Sequence, residues 1–175
     1  MKLGLTLIAF LTITAAQAQD VSRDNLGNKN TVVRDVNGNI SGRTKSDRSS
    51  NGDITTTFYD DRGRITGKSI STTRMSGDIE TTYYDDMNRV IKKTTTTTYG
   101  SGDQKTTGTD QNGRSTGTSY STQYGDDRTK TTNYDNRGSY TGSSESTTGE
   151  HGRRDTRYYD KNGRKTGSSE GNTGR

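Results

Sequence analysis

Short β-prone segments alternate with polar turn signals along most of this chain, and no helical period shows beyond its first residues. In one unit the first segment runs from Ile54 to Tyr59 and the second from Arg64 to Thr72. Thr, Ile, Phe and Tyr suit a pleated strand that is wet on one side, whereas Gly beside Asn or Asp marks a join. One join spans Asp60 to Gly63. The other, Ser50-Asn51-Gly52-Asp53, recurs as Ser76-Gly77-Asp78 and Ser101-Gly102-Asp103. The pattern predicts two strands per unit, folded back as a hairpin.

The units recur on a constant step of 25 residues. The turn acid falls at Asp35, Asp60, Asp85, Asp110, Asp135 and Asp160. Three residues on stand Gly38, Gly63, Asn88, Gly113, Gly138 and Gly163; seven on stand Gly42, Gly67, Lys92, Gly117, Gly142 and Gly167. Asp-x-x-Gly fits a type I turn followed by a left-handed residue, closing a hairpin with a bulge. The Asp accepts backbone N–H groups further along the turn, and Gly takes positive φ without strain, with Asn88 the tolerated substitute. Setting Asp60 opposite Arg64 puts Tyr59 against Ile65, Phe58 against Thr66 and Thr57 against Gly67. One face then carries Thr55, Thr57, Tyr59, Ile65, Gly67 and Ser69. The Tyr59 ring would cover Gly67, as Tyr134 would cover Gly142 and Tyr159 would cover Gly167. Asp–Arg pairs are expected at Asp60/Arg64, Asp85/Arg89, Asp110/Arg114 and Asp160/Arg164.

Composition changes the picture. Only 21% of residues are hydrophobic, about half the share of an ordinary globular domain, so no sizeable dry core is expected. Stacked repeats can fold without one; a largely disordered chain is the alternative. The columns favour folding. Thr31, Thr56, Thr81, Thr106, Thr131 and Thr156 are identical, while Val36, Asp61, Asp86, Gln111, Asn136 and Lys161 vary freely. Disorder gives no reason to hold one column and release another. Residues 1–18 read as a signal peptide: a basic start, an apolar run too short to span a membrane, then Ala16-Gln17-Ala18. Residues 19–34 form an N-terminal half repeat, and 35–175 form six 25-residue repeats, the last truncated.

Charge and chemistry mostly exclude functions. The net charge is +5, with both signs interspersed, which is a solvated surface rather than a nucleic acid site. There is no Cys, hence no disulfide framework. The single His, His151, lies in a turn where an exposed, idle histidine is expected, so no catalytic residue is assigned and no enzyme is expected. Gly63 to Ser69 imitates a phosphate loop but has three residues between its glycines instead of four. Asp60-Asp61, Asp85-Asp86 and Asp126-Asp127 offer oxygen ligands without a calcium-loop pattern, so neither metal nor cofactor is assigned. The Thr columns are too irregular for an ice-binding lattice. Tyr59, Tyr84, Tyr134 and Tyr159 are the candidate ligand face: rings at a fixed interval on a hydroxyl-rich sheet suit stacking on sugars.

The stretches Phe58 to Arg64, Tyr83-Tyr84-Asp85 with Arg89, and Tyr158 to Arg164 resemble the YD repeat of Rhs-type bacterial secreted proteins. Asp110 to Arg114 lacks the Tyr and Tyr134 to Gly138 lacks the Arg. The resemblance implies β-sheet shells and carbohydrate binding, although this chain has too few units to wrap a shell and no effector domain. Hairpin arrays of MORN-type repeats are similar in unit length. The expected fold is an elongated all-β array of antiparallel hairpins, on the order of 55–60 Å long, with a two-strand-per-turn β-solenoid as the alternative. The expected protein is exported, secreted or periplasmic, non-enzymatic and not membrane-spanning. Its expected task is to bind or space a glycan or protein partner in the envelope or outside the cell. The alternative is a structural or adhesive module that self-associates through bare sheet faces and ends.

Overall fold

A computed structural model describes residues 29–125 and 127–172; the signal peptide expected at 1–18 lies outside them. Among the described residues there are twelve strands. They are β1 (Lys29–Asp35), β2 (Ile40–Arg48), β3 (Ile54–Asp60), β4 (Ile65–Thr73), β5 (Ile79–Asp85), β6 (Val90–Thr98), β7 (Gln104–Asp110), β8 (Ser115–Tyr124), β9 (Arg128–Tyr134), β10 (Tyr140–Thr148), β11 (Arg153–Asp160) and β12 (Lys165–Asn172). A short 3₁₀ turn, Glu150–Gly152, precedes β11. Each strand is antiparallel to its chain neighbours.

The chain is all-β, but it is neither an elongated array nor a solenoid. β12 pairs with β1, and the sheet closes into a barrel. Strand twist curls a sheet of this many strands, and an open array would leave two bare edges. The two incomplete ends of the repeat supply those edges: Thr31 lies opposite Gly171, Val33 opposite Ser169 and Asp35 opposite Gly167. A two-strand-per-turn solenoid would stack its coils in parallel, and the seam here is antiparallel.

Each Asp turn is built alike. Gly63 N–H donates to the Asp60 carbonyl at 3.1 Å, and Asp60 N–H donates to the Arg64 carbonyl at 2.9 Å. Gly63 sits at φ +80°, and Asn88, in the equivalent place, at +65°. The register beyond the turn differs from the expected one. Tyr59 does face Ile65, but Phe58 faces Gly67 and Thr57 faces Lys68, which leaves Thr66 as the extra residue of a bulge. A slip of one residue exchanges the two faces of the strand beyond it. Ile54, Thr56 and Phe58 therefore share the buried inner face with Gly67, Ser69 and Ser71, while Tyr59 points outward. The Tyr59 ring cannot cover Gly67. Gly67 is bare because the Tyr84 carbonyl of β5 occupies the space where its Cβ would stand. The bulge separates Tyr134 from Gly142 and Tyr159 from Gly167 in the same way.

The interior explains the invariant threonines. Buried apolar side chains are few: Val33, Ile54, Phe58, Ile79 and Tyr83, all on β1, β3 and β5. Most of the rest of the inner wall is Ser and Thr, hydrogen-bonded across the hairpin boundaries, with Lys92, Asn133 and Tyr158 among the larger side chains near the Asp turns. Ser46–Thr56, Ser71–Thr81, Thr96–Thr106 and Ser121–Thr131 stand at 2.8 Å, and Ser146–Thr156 at 2.9 Å. Each pair contributes about 0.5–1.5 kcal/mol net, and breaking one would strand a buried hydroxyl. At the closing seam Thr31 meets Gly171 instead.

Candidate functional site

The Asp column is committed to structure. Each carboxylate accepts two backbone N–H groups, two and four residues on: Asn37 and Asn39 at Asp35, Arg62 and Arg64 at Asp60, Met87 and Arg89 at Asp85. Asp110, Asp135 and Asp160 repeat the pattern. Gly38, Gly113, Gly138 and Gly163 hold the same positive φ as Gly63. At Asp60 and Asp85 the guanidinium of Arg64 or Arg89 adds an ion pair at 2.7 Å. The Arg64 backbone N–H, and then its guanidinium, hold the Asp60 carboxyl below its ordinary value. At Asp110/Arg114 and Asp160/Arg164 the described contacts use only the backbone of the Arg: its N–H donates to the carboxylate, and its carbonyl accepts the Asp N–H. Among the described residues no cluster of His, Cys, Asp or Glu could hold a metal ion. Asp126 and the His151 side chain lie outside the described residues.

Tyr59, Tyr84, Tyr134 and Tyr159 fall on the outer face of β3, β5, β9 and β11, near the Asp turns. Closure divides them into two pairs on opposite walls of the barrel, because Thr109 on β7 and Arg34 on β1 take the same column between them. The rings of one pair stand two strands apart, roughly 10 Å. Lys68 Nζ sits 5.4 Å over the Tyr84 ring.

The second pair belongs to a larger patch. Tyr134 meets Tyr120 edge-on, with centroids 5.9 Å apart at 78°, and Tyr140 at 6.3 Å and 68°. Two features place these rings. Tyr120 lies between Lys105 of β7 and Thr132 of β9, and Tyr140 lies directly opposite Tyr134 across the turn from Asp135 to Ser139. Tyr124 follows on the same face of β8. Tyr120, Tyr124 and Tyr140 are 46%, 53% and 40% exposed, well short of buried. A groove of about 350 Å³ runs beside Tyr120 and Tyr134, edged by Ser115, Thr118, Asp135 and Asn136. A second, about 220 Å³, lies along Tyr124, Arg128, Lys130, Glu145 and Thr147. Lys105 Nζ stands 5.9 Å over the Tyr120 ring.

Tyr120 and Tyr140 escape a search for repeating columns because they break the repeat, and Tyr124 recurs only once, as Tyr99. The Tyr120 column otherwise holds Lys45, Ile70, Thr95, Glu145 and Glu170; the Tyr140 column holds Ile40, Ile65, Val90, Ser115 and Lys165. Their signal is local density: four of the ten tyrosines fall between positions 120 and 140. The sequence matches no protein-family model and no curated protein.

Proposed function

We propose that this is an exported, non-enzymatic binding module whose β8–β10 outer face docks a glycan. The carrying observation is the cluster in which exposed Tyr120 and Tyr140 flank a half-buried Tyr134. The six near-identical hairpins act as an internal control. A residue the fold requires recurs in every unit, as the inner Thr column does, whereas Tyr120 and Tyr140 stand together where no other unit carries an aromatic ring. Exposed rings without a fold requirement, edged by hydroxyls, a carboxylate and a carboxamide, suit sugars. The C–H face of a sugar stacks on an aromatic ring, and its hydroxyls take polar partners. The likeness to YD repeats points the same way.

Export rests on the basic start, the apolar run and Ala16-Gln17-Ala18, and it puts the protein in the periplasm or outside the cell. No described helix is long and apolar enough to cross a membrane. Outward strand positions hold Lys68, Glu80, Lys93, Lys105, Lys130 and Glu145. A Lys facing lipid at mid-depth costs about 2–4 kcal/mol, so these strands belong in water. Strand-edge self-association has lost its basis, since β1 and β12 occupy each other's edges.

A glycan array probed with the mature protein tests the assignment. Tyr120→Ala and Tyr140→Ala should each weaken the strongest signal about tenfold, equivalent to about 1.4 kcal/mol. Tyr59→Ala, on the opposite wall, should leave it unchanged. An array without signal, or equal losses from all three variants, removes the proposal.

A further inference from the structure

We infer that the glycan is acidic, an extended chain carrying carboxylate or sulfate groups that lies along β8 with its charge toward Arg128 and Lys130. The inference rests on the glycan-binding proposal and adds the ligand's charge and direction. Tyr120 and Tyr124 lie on one face of β8 four residues apart, roughly 13 Å, so one ligand reaching both grooves spans several sugar units. The two grooves differ in chemistry. Beside Tyr120 and Tyr134 the rim is mostly neutral, with Ser115, Thr118 and Asn136 around one turn-bound Asp135. Beside Tyr124 it carries Arg128 and Lys130.

Cross-strand register sets the balance of charge there. Glu145 of β10 lies opposite Lys130 of β9 on one side and Arg157 of β11 on the other, so a single carboxylate stands between two cations. Arg128 lies opposite neutral Thr147. The neighbouring acid, Asp155, is engaged with Arg153 at 3.2 Å. Among the described residues, Lys105, Arg128 and Lys130 make no ion pair. The other wall disposes of its charges differently: Arg74 binds Glu80 at 2.5 Å, and Lys45 binds Asp47 at 3.5 Å.

The repeat again acts as a control. Arg128 occupies the column that holds Asp53, Asp78 and Asp103 in earlier units and Arg153 in the next. Carboxylates at the three earlier positions follow the turn glycine; the column is cationic at both Arg128 and Arg153. Arg153 is held by Asp155, whereas Arg128, beside the exposed tyrosines, makes no ion pair among the described residues. A guanidinium presents a planar fork that binds carboxylate or sulfate through paired hydrogen bonds, and Lys130 adds a mobile point charge.

Oligogalacturonate and its fully methyl-esterified form, equal in length and differing in charge, provide the test by calorimetric titration of the mature protein. The acidic chain should bind at least about tenfold more tightly, a difference of about 1.4 kcal/mol. Arg128→Gln with Lys130→Gln should bring it down to the level of the ester, and Tyr120→Ala should weaken both. Equal binding of the two forms, or indifference to the paired glutamines, overturns the acidic assignment and leaves glycan binding standing. Binding of the acid that ignores Tyr120→Ala marks simple polyanion attraction and overturns the inference. Binding of an acidic peptide in place of both sugars overturns the glycan proposal and the inference together. These side chains face outward, so an unchanged far-UV CD spectrum confirms that each variant is folded.

Discussion

Lys92 is the one exception in a column of glycines, and its neighbours show how a residue-scale departure is absorbed. Gly42, Gly67, Gly117, Gly142 and Gly167 fill the column elsewhere. On the facing column Val33, Phe58, Tyr83, Asn133 and Tyr158 are larger, and the exception there is Gly108. A Cβ on Gly108 would meet Thr116 Oγ1 at 2.6 Å and Lys92 Cε at 3.0 Å, so the lysine stem, together with Thr116, fills space that a larger side chain on β7 would need. The two exceptions compensate. The ammonium stands 5.9 Å over the Tyr83 ring, and among the described residues no carboxylate pairs with it. Burial lowers its pKa from 10.5 to about 8. Between those values the unfolded chain binds the extra proton, so stability rises with pH, by at most on the order of 3 kcal/mol. Tyr158 acts in the opposite sense: burial raises its pKa from 10.0 to about 12, and stability is lost as pH climbs through that interval. Urea unfolding should therefore be most resistant near pH 10, and Lys92→Met should flatten the rise above pH 8. A wild-type midpoint that does not move across that range would show Lys92 to be uncharged or solvated.

At the scale of the hairpin, two glycines serve two different physical needs. Gly63 holds φ +80° with nothing within 4 Å of a would-be Cβ, so its constraint is the left-handed backbone alone. Gly63→Ala should cost roughly 1–2 kcal/mol, and Gly63→Asn less, as Asn88 indicates. Gly67 also lies at positive φ, and a Cβ there would in addition run into the Tyr84 carbonyl. Gly67→Ala must therefore displace the strand pair β4–β5 as well as strain its own backbone, and its loss in urea midpoint should exceed that of Gly63→Ala. Equal losses would mean that β5 stands further from the bulge. The bulge itself decides which side of each strand meets water. It carries Phe58, Tyr83 and Tyr158 inward and leaves Tyr59, Tyr84, Tyr134 and Tyr159 outside.

Closure is a property of the whole molecule. It brings the first described strand to the last, and it sets the Tyr59/Tyr84 pair and the Tyr120 patch on opposite walls. Val32 and Glu170 lie directly opposite each other across the β1–β12 seam, and opposed residues in antiparallel strands stand about 4.5–5.5 Å apart at Cα, within reach of a disulfide. The chain has no cysteine of its own. Val32→Cys with Glu170→Cys should therefore oxidise to an intramolecular disulfide, visible as faster migration on non-reducing gels at high dilution. An elongated chain of the same hairpins would hold these positions on the order of 55–60 Å apart and give only free thiols or intermolecular bonds.

Turn chemistry and strand content were legible from the letters because both are local. An Asp that accepts its own following N–H groups and a residue at positive φ need no distant partner, so Asp60, Gly63 and Asn88 declare their roles. The invariant threonine at position 81 also declared itself, but its reason, a hydroxyl partner at Ser71 inside a closed wall, did not. Register past the turn failed because one extra residue, Thr66, reverses every side chain beyond it. Closure could not be read at all. The same hairpin edge hydrogen-bonds equally well to the next unit of an open array or to the first unit of a ring, and accumulated twist, a sum over all twelve strands, decides between them. The binding face came into view only when that sum placed Tyr120, Tyr134 and Tyr140 within ring contact.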